Sequence, residues 1–132
     1  MAYLSVLKPA LLVALGGAVG SVARWGLARA LDRWGGVGGV GPGIVVVNVL
    51  GCLLIGVVLG TTSRGEPVVG SAGWRLLLAT GVCGGFTTFS TFSQQTLELV
   101  AQGRGGVALA YAGLSVGLGL GATTVGWWIC RL

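Results

Sequence analysis

Ionisable side chains are scarce in this chain, and none of them is histidine. Eight lysines and arginines and three carboxylates make up 8% of its 132 residues, against 54% hydrophobic residues. Soluble domains carry roughly 25% charged residues, so a water-exposed globule is not the expected product. Cysteine is equally sparse: Cys52, Cys83 and Cys130 have no ligand-like spacing and no histidine to join them. They read as small apolar packing residues. The eight cations are spread over loops and helix ends, which fits anionic lipid headgroups and argues against nucleic acid as a partner.

Long uncharged stretches fill the rest. They run from Pro9 to Leu31 (interrupted by Arg24 and Arg29), Ile44 to Ser63, Leu76 to Leu97, and Gly105 to Cys130. Each reaches the ~20 residues that a helix needs to cross ~30 Å of hydrocarbon. The expectation is one all-α membrane domain over residues 1–132 with four spanning helices, a multi-pass protein of the cell membrane. The first stretch is expected to be retained and not cleaved as a signal peptide. Met1 to Leu7 has no positive side chain before Lys8, and the apolar run exceeds a typical h-region.

With four spans, the side holding the N-terminus carries Lys8, Arg64, Arg75 and Arg131. The other carries Arg29, Arg33 and Arg104, and Arg24 placed there would remove the difference. Lysine and arginine asymmetry orients membrane proteins, and here there is almost none. Copies inserted both ways up can then pair head to tail, as inverted repeats do within single-chain transporters. An antiparallel homodimer would supply eight helices where four can hardly enclose a path. Glycine favours close packing: Gly56 and Gly60 form one GxxxG pair, and Gly113, Gly117 and Gly121 a tandem one. Gly35 to Gly43 reads as a flexible loop, with Pro42 opening the second helix.

Polar groups at membrane depth are few. Arg24 lies seven residues from the end of the first span, deep enough to need snorkelling, a partner or an aqueous vestibule. Asn48, among valines in the second span, either bridges helices or lines a path. The third span holds Gly84-Gly85-Phe86-Thr87-Thr88-Phe89-Ser90-Thr91-Phe92-Ser93, with all three phenylalanines of the chain. On a helix, Phe86, Phe89 and Phe92 form an aromatic stripe flanked by hydroxyls. Gly84-Gly85 weakens that helix at mid-span, and broken helices at this depth expose backbone groups that bind ions. In the last span Tyr111 and Ser115 share a face, and Trp127 and Trp128 read as an interfacial anchor.

No Asp, Glu, His or Lys lies in the central part of any span; Glu98 ends the third, and Asp32 and Glu66 fall in loops. Proton-coupled transporters normally carry a titratable group at depth. Amide and hydroxyl hydrogens with the positive rims of phenyl rings suit a small anion. A bare cation would prefer carbonyls, carboxylates or ring faces.

These residues resemble the CrcB/Fluc fluoride channel family. The likeness runs through Gly16-Gly17-Ala18-Val19-Gly20-Ser21-Val22-Ala23-Arg24-Trp25, Val47-Asn48-Val49-Leu50-Gly51, and Gly81 to Ser93. The resemblance implies a passive channel, not an enzyme, that exports cytoplasmic fluoride and so reduces its toxicity. It implies an antiparallel, dual-topology homodimer with a broken third helix and two pores. Asn48 would donate to fluoride, Phe89 and Phe92 would offer ring edges, and Thr88, Ser90 and Thr91 would belong to the hydroxyl lining. Tyr111 and Ser115 would face the pore, and Arg24 would stand in the vestibule. Gly84 and Thr87 would hold a structural Na+ on the dimer axis through their backbone carbonyls. The chain departs from the family's pattern at Ile44, where threonine is frequent, at Trp25 for tyrosine and at Ser21 for alanine. The alternative, a small multidrug-type exporter working as a dual-topology dimer, would need a carboxylate in the membrane, typically in the first helix, and Pro9 to Leu31 has none.

Overall fold

The computed structural model describes residues 2–36, 39–62 and 72–131. Ser63, Arg64 and Glu66, assigned above to the end of the second span and the loop beyond it, lie outside the described residues, as do Val37 and Gly38 of the glycine loop. The described chain is helical: α1 (Ala2–Asp32), α2 (Gly43–Thr62), α3 (Ala72–Arg75), a π-helical stretch (Leu76–Cys83), α4 (Gly84–Phe86), α5 (Phe89–Ala101) and α6 (Gly105–Ile129). Four helical runs, Val6–Asp32, Gly43–Thr61, Gly73–Ala101 and Gly105–Ile129, are long and apolar enough to cross a membrane. Among the described residues there is no strand.

The connections are set by local chemistry. Asp32, at the end of α1, accepts the Gly43 amide on Oδ1 at 2.9 Å. This satisfies one of the orphan donors at the start of α2 and places a negative charge at its positive end. Pro42 supplies the carbonyl that Val46 N meets at 3.0 Å, so it opens α2 without needing an amide of its own. Gly103, at φ +73, ends α5: its amide meets Val100 O at 2.9 Å and the Arg104 amide meets Leu99 O at 2.9 Å. That pair of bonds is the Schellman stop, and its left-handed residue favours glycine.

Two helix pairs build the bundle. α1 packs along the π-helical stretch and α4, while α2 packs along α6. Both seams depend on glycine. A β-carbon on Gly20 would lie 2.8 Å from Phe86 N, one on Gly81 would lie 2.9 Å from Gly16 Cα, and one on Gly85 would lie 2.9 Å from Gly17 Cα. Gly56 and Gly60 run against Thr123 and Trp127, and Gly126 returns the contact to α2. The tandem Gly113, Gly117 and Gly121 does not pack within the chain, since a β-carbon there meets nothing within 4 Å. The α6 face that meets α2 is marked by Gly119, Thr123 and Gly126, and Gly121 sits about 200° round the helix from Gly119. A buried cluster of Ala28, Ile44, Val47 and Phe86, with Leu27 and Phe92 against it, joins the two pairs.

The third span corrects the expected stripes. Gly84 is right-handed helical, at φ −63 and ψ −37. The backbone leaves the helix at Thr87 (φ −82, ψ 157) and Thr88 (φ −149, ψ 119). Two β-branched residues take the extended conformation they favour, while Gly85 serves the close approach to α1. Phe86 therefore ends one helix and is buried at 9% exposure, whereas Phe89 begins the next and is 78% exposed. The phenylalanines do not share one helical face.

Candidate permeation site

The helical ladder ends at the Thr87 amide, which still meets Cys83 O at 3.0 Å, and the peptide groups of Thr88 go to another partner. Asn48, from α2, supplies both missing partners of Thr88. Its Oδ1 accepts the Thr88 amide at 2.8 Å, and its Nδ2 donates to the Thr88 carbonyl at 3.1 Å. The two bonds fix which side of the amide points where. One Nδ2 hydrogen remains free of this clamp. Asn48 thus does what was expected of it in one of two ways, bridging helices, and keeps a donor for the cavity beside it.

Beyond the extended pair, Thr88 caps α5: its Oγ1 accepts the Thr91 amide at 3.2 Å. Ser90 and Thr91 hydroxyls lie 3.1 and 3.2 Å from the same oxygen, making a local cluster of three. Thr87 bonds back to Cys83 O at 3.0 Å, and Ser93 back to Phe89 O at 2.9 Å. The hydroxyls of this segment therefore split into a cluster around the cap and two that serve their own helices, as membrane serines and threonines often do.

An open cavity of about 450 Å³ lies against this segment. Asn48, Thr88, Phe89, Phe92 and Ser115 line it, with Gly84 and Thr87, and no charged side chain does. Phe89 and Phe92 are tilted at 44° with centroids 5.5 Å apart, and Phe92 stacks on Tyr111 at 5.6 Å. Ser115 Oγ is buried beside the Tyr111 hydroxyl, with no partner at strict hydrogen-bond geometry. Tyr111, one helical turn away, turns its hydroxyl to Gln95 Oε1 at 2.6 Å. Ser90, Thr91 and Tyr111 are outside this cavity's lining; Tyr111 borders it through Phe92.

Arg24 is on the other side of the segment. Its Nε donates to Gly85 O at 3.2 Å, and Ser21 Oγ reaches the same carbonyl at 3.4 Å. It also lines a second cavity of about 510 Å³ with Arg29, Arg33, Asp32, Ile44 and Thr91. Three guanidinium groups against one carboxylate make that cavity attractive to anions. Ile44 lines this cavity too, so the hydroxyl missing at this position is missing from the cationic cavity.

The family model described as "CrcB-like protein, Camphor Resistance (CrcB)" matches residues 11–127. The chain belongs to the CrcB family. It is 47% identical over 114 residues to the fluoride-specific ion channel FluC of Deinococcus radiodurans, covering 86% of this chain and 88% of the relative. It is 39% identical over 135 residues to the FluC of Erythrobacter litoralis, covering 100% and 98%. A third relative, the FluC of Variovorax paradoxus, is 41% identical over 122 residues, covering 92% and 93%. With its four apolar helices, this CrcB chain is a multi-pass protein of the cell membrane.

Two residues of the CrcB chain escaped sequence reasoning as participants in this site. Gln95 holds the Tyr111 hydroxyl and so sets the ring stacked on Phe92. Its signal was a neutral amide one turn beyond Phe92 on the same helix, overlooked because it lies outside the hydroxyl run. Ser21 was noted only as a replacement for alanine. Its hydroxyl falls one turn before Arg24, and that spacing carries both side chains to the same carbonyl.

Proposed function

We propose that this CrcB chain is a passive, fluoride-selective channel that lets cytoplasmic fluoride leave the cell and so lowers its toxicity. The observation that carries the reading is the donor set on one uncharged cavity. Asn48 keeps a free N–H there, Ser115 a buried hydroxyl beside that of Tyr111, and Phe89 and Phe92 ring edges whose rims are positive. An anion finds partial positive charge on several sides and no carboxylate to repel it. Fluoride in particular is supported by the names that the relatives carry. A multidrug-type exporter needs a carboxylate at depth, and the cavity's lining offers none.

The working unit in this reading is an antiparallel homodimer of dual topology, with the third span acting as a broken helix in each copy. The near-absent charge bias supports it, and so does the exposed glycine face of α6, which packs against nothing in its own chain. Gly84 and Thr87 fit a structural Na+. The amide that would close the Gly84 carbonyl's helical bond, Thr88 N, goes to Asn48, and the one that would serve Thr87, Thr91 N, goes to the Thr88 hydroxyl. Two carbonyls per copy are thereby left for a cation, of the kind that unwound membrane helices offer. The ion would supply positive charge that draws these carbonyls together; the protein's part is to keep them free of helical partners.

The test is growth in fluoride of a bacterium deprived of its own fluoride export. Expression of this chain is expected to restore growth, and an inactive Asn48→Asp chain is expected not to. Equal fluoride sensitivity with and without the chain would contradict the proposal.

A further inference from the structure

We propose that Arg24 is a positioning residue of the path: through Nε it pins the Gly85 carbonyl and so fixes where α4 ends and the Thr87-Thr88 crossing begins. The proposal deepens the channel reading, on which its functional part rests. It assigns the arginine a task distinct from lending charge to a vestibule.

The extended crossing strands peptide groups that a continuous helix would pair. Phe89, whose amide would complete the helical bond of Gly85, opens α5 beyond the extended pair. Gly85 O takes Arg24 Nε and Ser21 Oγ instead, both from α1. Thr88 takes Asn48, from α2, on both its amide and its carbonyl. The four residues from Gly85 to Thr88 are thus held from two sides by two different spans. α1 can do this because its backbone touches the third span: a β-carbon on Gly20 would meet Phe86 N at 2.8 Å. Arg24 stands one turn beyond Gly20 on the same face. A cation at this depth is costly unless it is bonded, and a bond to a stranded carbonyl meets both needs at once. Arg24 and Gly84 then act on adjoining peptide groups, so the clamp also holds the carbonyl proposed for sodium.

Two substitutions separate position from charge. In Arg24→Gln the side-chain amide nitrogen is as many bonds from the backbone as Nε, so an N–H donor is kept while the charge is lost. In Arg24→Lys the charge is kept, but a methylene replaces Nε. Fluoride efflux from liposomes holding the purified protein is expected to fall by about threefold for Arg24→Gln, the cost of one guanidinium charge lost from the cationic cavity. It is expected to fall roughly tenfold or more for Arg24→Lys, the scale of a lost charge-assisted hydrogen bond. The reverse order, or equal flux in the two variants, would overturn the clamp. Amide hydrogen exchange over residues 86–91 in detergent gives a readout independent of transport. It is expected to quicken in Arg24→Lys and to stay unchanged in Arg24→Gln, and equal exchange in both would also overturn the proposal. If the unmodified chain moves no more fluoride than empty liposomes, the channel reading fails, and the exchange result still decides the clamp.

Discussion

Replacing Asn48 by aspartate changes one atom's chemistry in the middle of the proposed path. The carboxylate keeps an acceptor for the Thr88 amide, now held at 2.8 Å, and loses the donor that meets the Thr88 carbonyl at 3.1 Å. It also loses the free N–H and puts a negative charge on a cavity whose lining has none. Two like unit charges 4 Å apart at an effective dielectric of 20 repel by about 4 kcal/mol, roughly a thousandfold in occupancy of a neighbouring anion site. A fluoride electrode should therefore record efflux from Asn48→Asp liposomes at least a hundredfold below the unmodified protein, with the potassium ionophore valinomycin present to discharge the voltage. Asn48→Ala makes the companion case, because it removes both bonds and leaves two peptide groups of Thr88 unpaired. At ~1–3 kcal/mol for each unsatisfied group, its thermal unfolding should come clearly earlier. Asn48→Asp flux within tenfold of normal would refute the reasoning, since no anion path lined by this amide could ignore a charge placed there.

Replacing Phe89 and Phe92 together by isoleucine keeps apolar bulk and removes the positive ring rims, so flux should drop about tenfold or more while the assembly elutes unchanged; full activity would return the rings to packing. Purification with a bulky organic cation in place of sodium should weaken function or dimer assembly, and indifference would count against the Gly84 and Thr87 site. Gly20→Val should destabilise by about 1–3 kcal/mol or more, because its β-carbon meets the backbone of Val82 and Phe86. Gly26→Ala, six residues on in the same helix with nothing within 4 Å, should be neutral or slightly stabilising; equal thermal shifts for the two would contradict the α1 seam.

Four spanning helices were legible in the sequence because hydrocarbon thickness demands about 20 apolar residues, a length that composition alone displays. The unusual polarity of residues 84–93 was legible for the same reason, as a conflict with its surroundings. What was not legible was which residue bends. Gly84-Gly85 looked weakest by propensity, yet packing against Gly17 kept Gly85 helical and passed the extended conformation to two threonines. That choice is made by contacts 60 and more residues away in the chain, which local preference does not contain. Asn48 and Thr88 likewise stood out separately, and only the fold reveals that one amide satisfies both peptide groups of the other. The glycine patterns differ in what they mark: Gly56 and Gly60 a seam, Gly16, Gly20, Gly81 and Gly85 another, and Gly113, Gly117 and Gly121 none inside the chain. Spacing of four says that a face is small, and says nothing of what meets it.

The most direct test compares fluoride and chloride in one preparation. Liposomes holding the purified chain and loaded with both anions should lose fluoride rapidly on addition of valinomycin and retain chloride. Fluoride loss no faster than from protein-free liposomes, or chloride leaving alongside it, would contradict a fluoride-selective path built from Asn48, Ser115 and the edges of Phe89 and Phe92.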